Sequence, residues 1–275
     1  MKKILLTFFI LNLLSTSVYA KVDKSSENYL KNKKHFSIIN PCVEKIAEKT
    51  IRKSLKKETG GKYKVKFDGY TLSSMKQGIF KNLEITGQYL LIDDIKIPYL
   101  KIKSISDYNW IDYTQKPIVI KSDMNYVFEV HLTEDAINTA LDKKEYQDKL
   151  NKVNNIAYPL FVVNNVDVKI QNNKARFSIY YNFPISPAKK DKVFHVTSGF
   201  RVENNKILAS SIDVDKTYAS LQKNKIANLI NLLDPLSFTL SLIDDKKCNA
   251  RIENVKIVDN IIQINGKIYV KGEGK

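Results

Sequence analysis

Apolar and polar residues change their spacing several times along the chain, and each change marks an element. Val43, Ile46, Ala47, Thr50, Ile51 and Leu55 recur at three- and four-residue intervals, with Glu44, Lys45, Glu48, Lys49, Arg52, Lys53 and Lys56 on the other side. That period belongs to an amphipathic helix. Asn40 is placed to cap it, Pro41 fits its first turn and Gly60 supplies the stop. The spacing predicts a helix of about 18 residues, roughly 27 Å long. Its plain role is to cover a sheet. A helix lying on a membrane surface is the sharper alternative, and the absence of any aromatic residue from the stripe weighs against it.

From Tyr63 the period becomes two. Tyr63, Val65 and Phe67 alternate with lysines, followed by the pairs Leu83 and Ile85, Leu90 and Ile92, Ile95 and Ile97, and Leu100 and Ile102. Short antiparallel strands fit this pattern. Gly60, Gly69, Gly78 and Gly87 fall at nine-residue intervals with dissimilar sequences between them, and read as punctuation between strands rather than as a repeat. The pair Asp93-Asp94 reads as a turn. Pro98 cannot donate to a ladder and belongs at a bulge or an edge. The apolar parity also changes there, from Ile95 and Ile97 to Leu100 and Ile102, so the strand is expected to bend.

The clearest strand is Asp123 to Leu132, with Met124, Tyr126, Phe128, Val130 and Leu132 on one face and mostly polar residues on the other. Thr133 then caps a helix with Glu134 and Asp135 in its first turn and Ile137, Ala140 and Leu141 as its stripe, expected to extend to about Val153. Val166 to Ile170 turns at Asn172-Asn173 into Ala175 to Tyr181. Phe194 to Val202 turns at Asn204-Asn205 into Ile207. Asn tolerates the positive φ of tight hairpin turns. A last helix is expected over about Tyr218 to Leu233, stopping at Asp234-Pro235. A closing hairpin runs from Ile252 to Ile257 and from Ile262 to Val270 around Asp259-Asn260. The tally is three helices and about ten strands, an α+β chain rich in antiparallel sheet.

The first residues form a separate pattern. Lys2-Lys3, an apolar run from Ile4 to Leu14 and a small-residue stretch ending at Ala20 match a secretory signal peptide cleaved after Ala20. The apolar run is short of the roughly 20 residues needed to span a bilayer. No cysteine follows it, which disfavours a lipid-anchored lipoprotein. Residues 1–20 are thus expected to be a signal, 21–40 a lysine-rich leader, and 41–272 a single domain of a periplasmic or secreted product.

The formal charge is +16 at pH 7, of which cleavage removes Lys2 and Lys3 and no acid. Only four of the 45 basic residues are arginine, whereas readout of phosphates and bases favours the Arg fork. The charge is read mainly as a solvated surface, secondarily as attraction to an anionic membrane, and nucleic acid is excluded as a partner. Cys42 and Cys248 are the only cysteines. In an oxidising compartment they are expected to form one disulfide, with two separate buried thiols as the alternative.

Catalytic and metal motifs are sparse. His35, His131 and His195 stand at no metal-binding spacing from one another or from a cysteine. Ser198-Gly199 lacks the preceding glycine of a nucleophile elbow. Asp93-Asp94 and Asp244-Asp245 are better read as turns than as paired acids, because neighbours on a strand point to opposite faces. No metal, cofactor or catalytic residue is assigned, and the expectation is that the chain is not an enzyme.

The order of elements carries more than any one motif. The segment "SLKKETGGKYKVKFDGYTLSSMKQGIFKNLEITGQYLLIDDIKIPYLKIKS" resembles the start of the bacterial family called domain of unknown function 2993, to which lipomannan-elongation proteins belong. Thr59-Gly60, Gly78-Ile79-Phe80, Leu83, Ile85, Gly87, Ile95, Ile97, Leu100 and Ile102 carry the likeness. "VHLTEDAINTAL", Val130 to Leu141, and "LLDP", Leu232 to Pro235, are similar to later landmarks, so most of Cys42 to Val270 is covered. The lysine-rich leader and the two cysteines depart from the pattern. The resemblance implies a phospholipid-binding envelope protein whose strongly curved antiparallel sheet wraps an amphipathic helix, as in tubular lipid-binding folds. It would be a non-catalytic carrier of phospholipid or another acyl lipid. Phe80, Leu83, Ile85, Ile95, Ile97, Met124, Tyr126, Phe128 and Val130 are the candidates for its apolar groove, and for any single one of them a plain core position is the stronger reading. The alternatives are an exported structural or adhesive β-rich module without a cavity and, least favoured, a hydrolase of envelope lipids or glycans.

Overall fold

The helical stripe that opens the chain forms α1, Asn40–Thr59. It stops at Gly60, whose φ of 65° is left-handed and whose N–H returns to Lys56 O at 3.0 Å. The structure is a computed structural model that describes residues 40–112, 119–157, 162–184, 192–214, 223–233, 236 and 248–273. The expected signal peptide, leader, His35 and Asp244-Asp245 lie outside the described residues.

The alternating segments become strands, and every pairing among the described residues is antiparallel. They are β1 (Lys62–Gly69), β2 (Ile79–Ile92), β3 (Ile95–Ser104), β4 (Asn109–Asp112), β5 (Val119–Ile120), β6 (Met124–Leu132), β7 (Val162–Gln171), β8 (Lys174–Asn182), β9 (Lys192–Glu203), β10 (Lys206–Val214), β11 (Cys248–Val258) and β12 (Ile261–Val270). An eight-stranded sheet runs β11-β12-β6-β3-β2, with β1 beyond β2 and the short β4-β5 pair joined at Ile79 and Phe80. A four-stranded sheet runs β10-β9-β8-β7. The remaining helices are α2 (Leu72–Lys76), α3 (Glu134–Leu141), α4 (Lys144–Ala157) and α5 (Lys223–Leu233). The fold is therefore α+β and mostly antiparallel, as the periodicity predicts.

The hairpin turns follow their chemistry. Asp93, Asp94, Asn172, Asn173, Asn204, Asn205, Asp259 and Asn260 all have positive φ. Pro98 lies just beyond Tyr99, where the pairing of β3 with β6 ends, so it stands at an edge and not at a bulge, and buried parity switches there from Ile95 and Ile97 to Leu100 and Ile102. The partner strand switches with it, between Gly87 and Leu90, and Tyr89 opposite Pro98 takes a φ of 56°. Because both strands change parity at the same place, the register continues unshifted from Ile85↔Ile102 to Ile92↔Ile95.

Three expectations need correction. Gly87 is not a turn but a buried position inside β2, where a Cβ would sit 2.9 Å from Tyr63 Cε1. The helix expected from Thr133 to about Val153 is two helices, α3 and α4, broken at Asp142 and Lys143. Leu150 follows Leu141 by nine residues, which in an unbroken helix places it about 180° away. Only a break lets Leu141, Tyr146 and Leu150 all reach the core. The Cys42–Cys248 bridge is not formed, and Cys42 is an exposed free thiol. Cys42 is in α1, beside β1, while Cys248 starts β11 at the opposite edge of the large sheet.

One core spans both sheets. Val130, Phe128, Ile264 and Ile268 from the large sheet, Val168, Phe177 and Val196 from the small one, and Ile137, Leu150 and Ile230 from α3, α4 and α5 belong to the same buried cluster.

Helical side chains close the strand edges. Glu44 and Glu48 of α1 accept the N–H groups of Gly69 and Phe67 at 2.9 and 3.1 Å. Glu134 of α3 accepts Ile170 N–H at 3.0 Å, and the Asn138 amide pairs with both N–H and C=O of Val168 at 2.8 and 2.9 Å. Four helical residues rise about 6 Å and two strand residues about 6.6 Å, so an i,i+4 pair matches alternate strand amides. Asn154 pairs with Val163 in the same way, and Asn231 of α5 accepts Ala209 N–H. Unpaired edges invite pairing with other chains, and these contacts block β1, β7 and β10.

Candidate functional site

The nine groove candidates come from three strands: register puts Phe80, Leu83, Ile85, Met124, Tyr126, Phe128 and Val130 on one face of the large sheet, while Ile95 and Ile97 lie beyond the parity switch at Pro98 and join the same buried cluster. Direct cross-strand partners point the same way. Ile85 therefore lies beside Ile102 and Phe128, and Val130 beside Leu100 and Ile264. The register shift near Asp68 and Gly69 returns Phe80 to the face of Leu83 after the exposed Lys81. There its ring lies 5.3 Å from that of Phe67.

Burial divides this set. Phe80, Ile95, Ile97, Met124, Tyr126, Phe128 and Val130 are buried in the main core. The hydroxyl of Tyr126 donates to Met124 Sδ at 3.3 Å. Ile85 belongs instead to a small second cluster with Leu55 of α1 and Val65 of β1. Leu83 is only half-buried and packs against both clusters, as does Tyr63. Together with the half-buried Phe67, they form a seam where the core meets the underside of α1.

The contacts of α1 explain this seam. The sequence places Glu44 and Glu48 on its solvent side, but both turn to β1 to hold the edge amides. That rotation leaves Leu55 as the buried apolar residue of the helix, with Ile51 beside it, and sets Ile46 in water at 64 % exposure. At its C-terminal end Thr59 Oγ1 donates to Leu55 O at 3.0 Å and also bonds the hydroxyl of Tyr63. Burial, partly opposed by that bond, raises the Tyr63 pKa above its usual value near 10. The capping pair and the seam residues Tyr63 and Phe67 were missed as site residues. The available signal was two glutamates four apart, preceding a strand of alternating lysines.

The outer face of the same sheet is polar. Lys101 pairs with Glu84 at 3.4 Å, His131 Nε2 lies 2.8 Å from Glu129 Oε1, and the rings of Tyr99 and His131 lie 4.5 Å apart. Partial burial, followed by the Glu129 carboxylate, raises the Tyr99 pKa. On the small sheet Ser178 Oγ contacts His195 Nδ1 at 3.0 Å. Register puts Asp167 across from Ser178 and His195 on the serine's other side. The serine therefore sits between acid and imidazole, so Asp167 is not positioned to orient the histidine as a triad requires. Among the described residues no group of three or more His, Cys, Asp or Glu is placed to hold a metal, and no helix is long and apolar enough to cross a membrane.

No family model, curated protein or solved structure matches the chain.

Proposed function

We propose that the chain is an exported, non-catalytic carrier of phospholipid or a related acyl lipid. In this reading the large sheet curves around α1 in a tubular lipid-binding arrangement like that of the domain of unknown function 2993 family. The observation that carries it is the seam: Tyr63, Phe67 and Leu83 are half-buried between the α1 cluster and the main core. An apolar interior reaches the surface there beneath a helix held by a small cluster and two carboxylate contacts.

The energetics favour this place over any other opening. Parting the main core would expose residues from both sheets and three helices, whereas lifting α1 exposes chiefly Leu55, Val65 and Ile85. Each methylene of an acyl chain buried in their place contributes about 0.8 kcal/mol. About six methylenes would then offset the burial of two or three such side chains. The headgroup would remain outside, among the lysines of α1 and β1.

Uptake of a fluorescent acyl phospholipid by the full chain tests this. Leu83→Arg places a charge in the seam while its half-exposed position lets the guanidinium reach water. Uptake should fall at least tenfold, whereas Leu232→Arg on the exposed side of α5 should leave it unchanged. Equal uptake by all three proteins would remove the seam from the account. No uptake by any would favour a β-rich structural or adhesive module.

A further inference from the structure

The outward face of α1 is a second feature, independent of what lies beneath the helix. At 100° per residue, Glu44, Glu48, Ile51, Leu55 and Thr59 form one line along α1, and contacts fix that line against β1 and β2. The opposite surface carries Lys45, Lys49, Arg52, Lys53, Lys56 and Lys57, all exposed. None of these six forms an ion pair among the described residues. The third acid of the helix, Glu58, lies on the flank next to Ile51. The edge-capping contacts thus turn the half-buried Glu44 and Glu48 toward β1 and leave the opposite face of the helix cationic.

We infer that this face docks the protein on an anionic phospholipid bilayer. Charge complementarity selects the occupant. The cations extend over about 20 Å of a helix roughly 30 Å long, which suits a planar anionic surface. Five of the six are lysines, point charges suited to headgroup phosphates without the bidentate geometry of an arginine site. Ile46 is the large apolar side chain exposed among them, too little to insert the helix. Docking is therefore electrostatic and peripheral, and salt weakens it.

Vesicle flotation with the full chain tests the inference, comparing phosphatidylcholine vesicles with and without phosphatidylglycerol. The protein should float only with the anionic vesicles and be released as salt rises. A basic residue at such a surface strengthens binding about fivefold, so the triple variant Lys49→Gln, Lys53→Gln, Lys57→Gln should bind about a hundredfold more weakly. A control triple on the small sheet, at the exposed residues Lys169→Gln, Lys174→Gln and Lys206→Gln, should bind within a few-fold of the unaltered chain. The single reversal Lys53→Glu gives a second test with one exposed side chain changed, and should weaken binding by at least fivefold. Equal binding to both vesicle types, undiminished binding by the α1 variants, equal losses in the control, or capture by nucleic acid or an acidic protein without vesicle binding would each overturn it.

Discussion

Replacing Glu44 and Glu48 together by alanine should loosen α1 from the edge of β1 while leaving the main core intact. The two carboxylates accept Gly69 and Phe67 N–H at 2.9 and 3.1 Å, and both glutamates are half-buried. A hydrogen bond to a charged group is worth about 1.5–3 kcal/mol, but an edge amide that loses its partner can be rehydrated. About 1 kcal/mol each is therefore the better figure, or about 2 kcal/mol for the pair. At 1.4 kcal/mol per tenfold change, that corresponds to roughly thirtyfold faster local opening. Amide hydrogen exchange followed by NMR reads it directly: Phe67 and Gly69 should lose about thirtyfold in protection, whereas Val130 and Ile264 in the central strands should change little. Glu44→Gln with Glu48→Gln retains neutral acceptors and should fall between. Unchanged protection at Phe67 and Gly69 would refute the capping role, and equal loss across β6 and β12 would refute the separateness of the α1 cluster.

Further predictions concern the second sheet, the core and alkaline pH. Asn138→Ala removes the partner of both Val168 backbone groups and should lower stability by about 2 kcal/mol, measured as a shift in the urea midpoint with little change in slope. Gly266→Ala would place a Cβ 2.7 Å from Phe128 Cε1 and against the backbone oxygen of Arg251; since backbone cannot yield as a side-chain tip does, a loss of about 1–3 kcal/mol is expected. The melting temperature should then fall by several degrees, and an unchanged melting temperature would contradict the close packing. Burial raises the Tyr63 pKa, so the fold favours the protonated phenol. Its contribution is fully present below the unfolded value near 10 and is lost as pH rises through the higher folded value. Tyr63→Phe should remove a high-pH step from the ultraviolet phenolate titration and flatten the alkaline fall in stability.

Much of the fold is legible in the sequence because hydrophobic period is a local signal. Met124 to Leu132 alternates without interruption and forms β6, and the Asn-Asn and Asp-Asn pairs turn as their tolerance of positive φ requires. Pro98 marks the change of parity because its missing N–H is a property of the residue itself. Long-range relations were not legible. Nothing within Asn40 to Thr59 tells that Glu44 and Glu48 meet amides 25 and 19 residues later, and a helical wheel sorted by polarity assigns them to water. Gly87 has the composition of a turn, yet its lack of a side chain serves Tyr63 on a neighbouring strand. The break after Leu141 could have been found by following the stripe across it, since Leu141 and Leu150 cannot share a face of one straight helix. For the candidate site, alternation identifies the inner face but not the seam, because the boundary between core and surface depends on where α1 comes to rest.

Native mass spectrometry of the full chain purified from the cells that make it tests the lipid reading most directly. A discrete added mass matching one phospholipid, released on organic extraction and recovered on incubation with lipid, is the predicted result. A chain that flies at its bare mass and takes up no acyl lipid would contradict it.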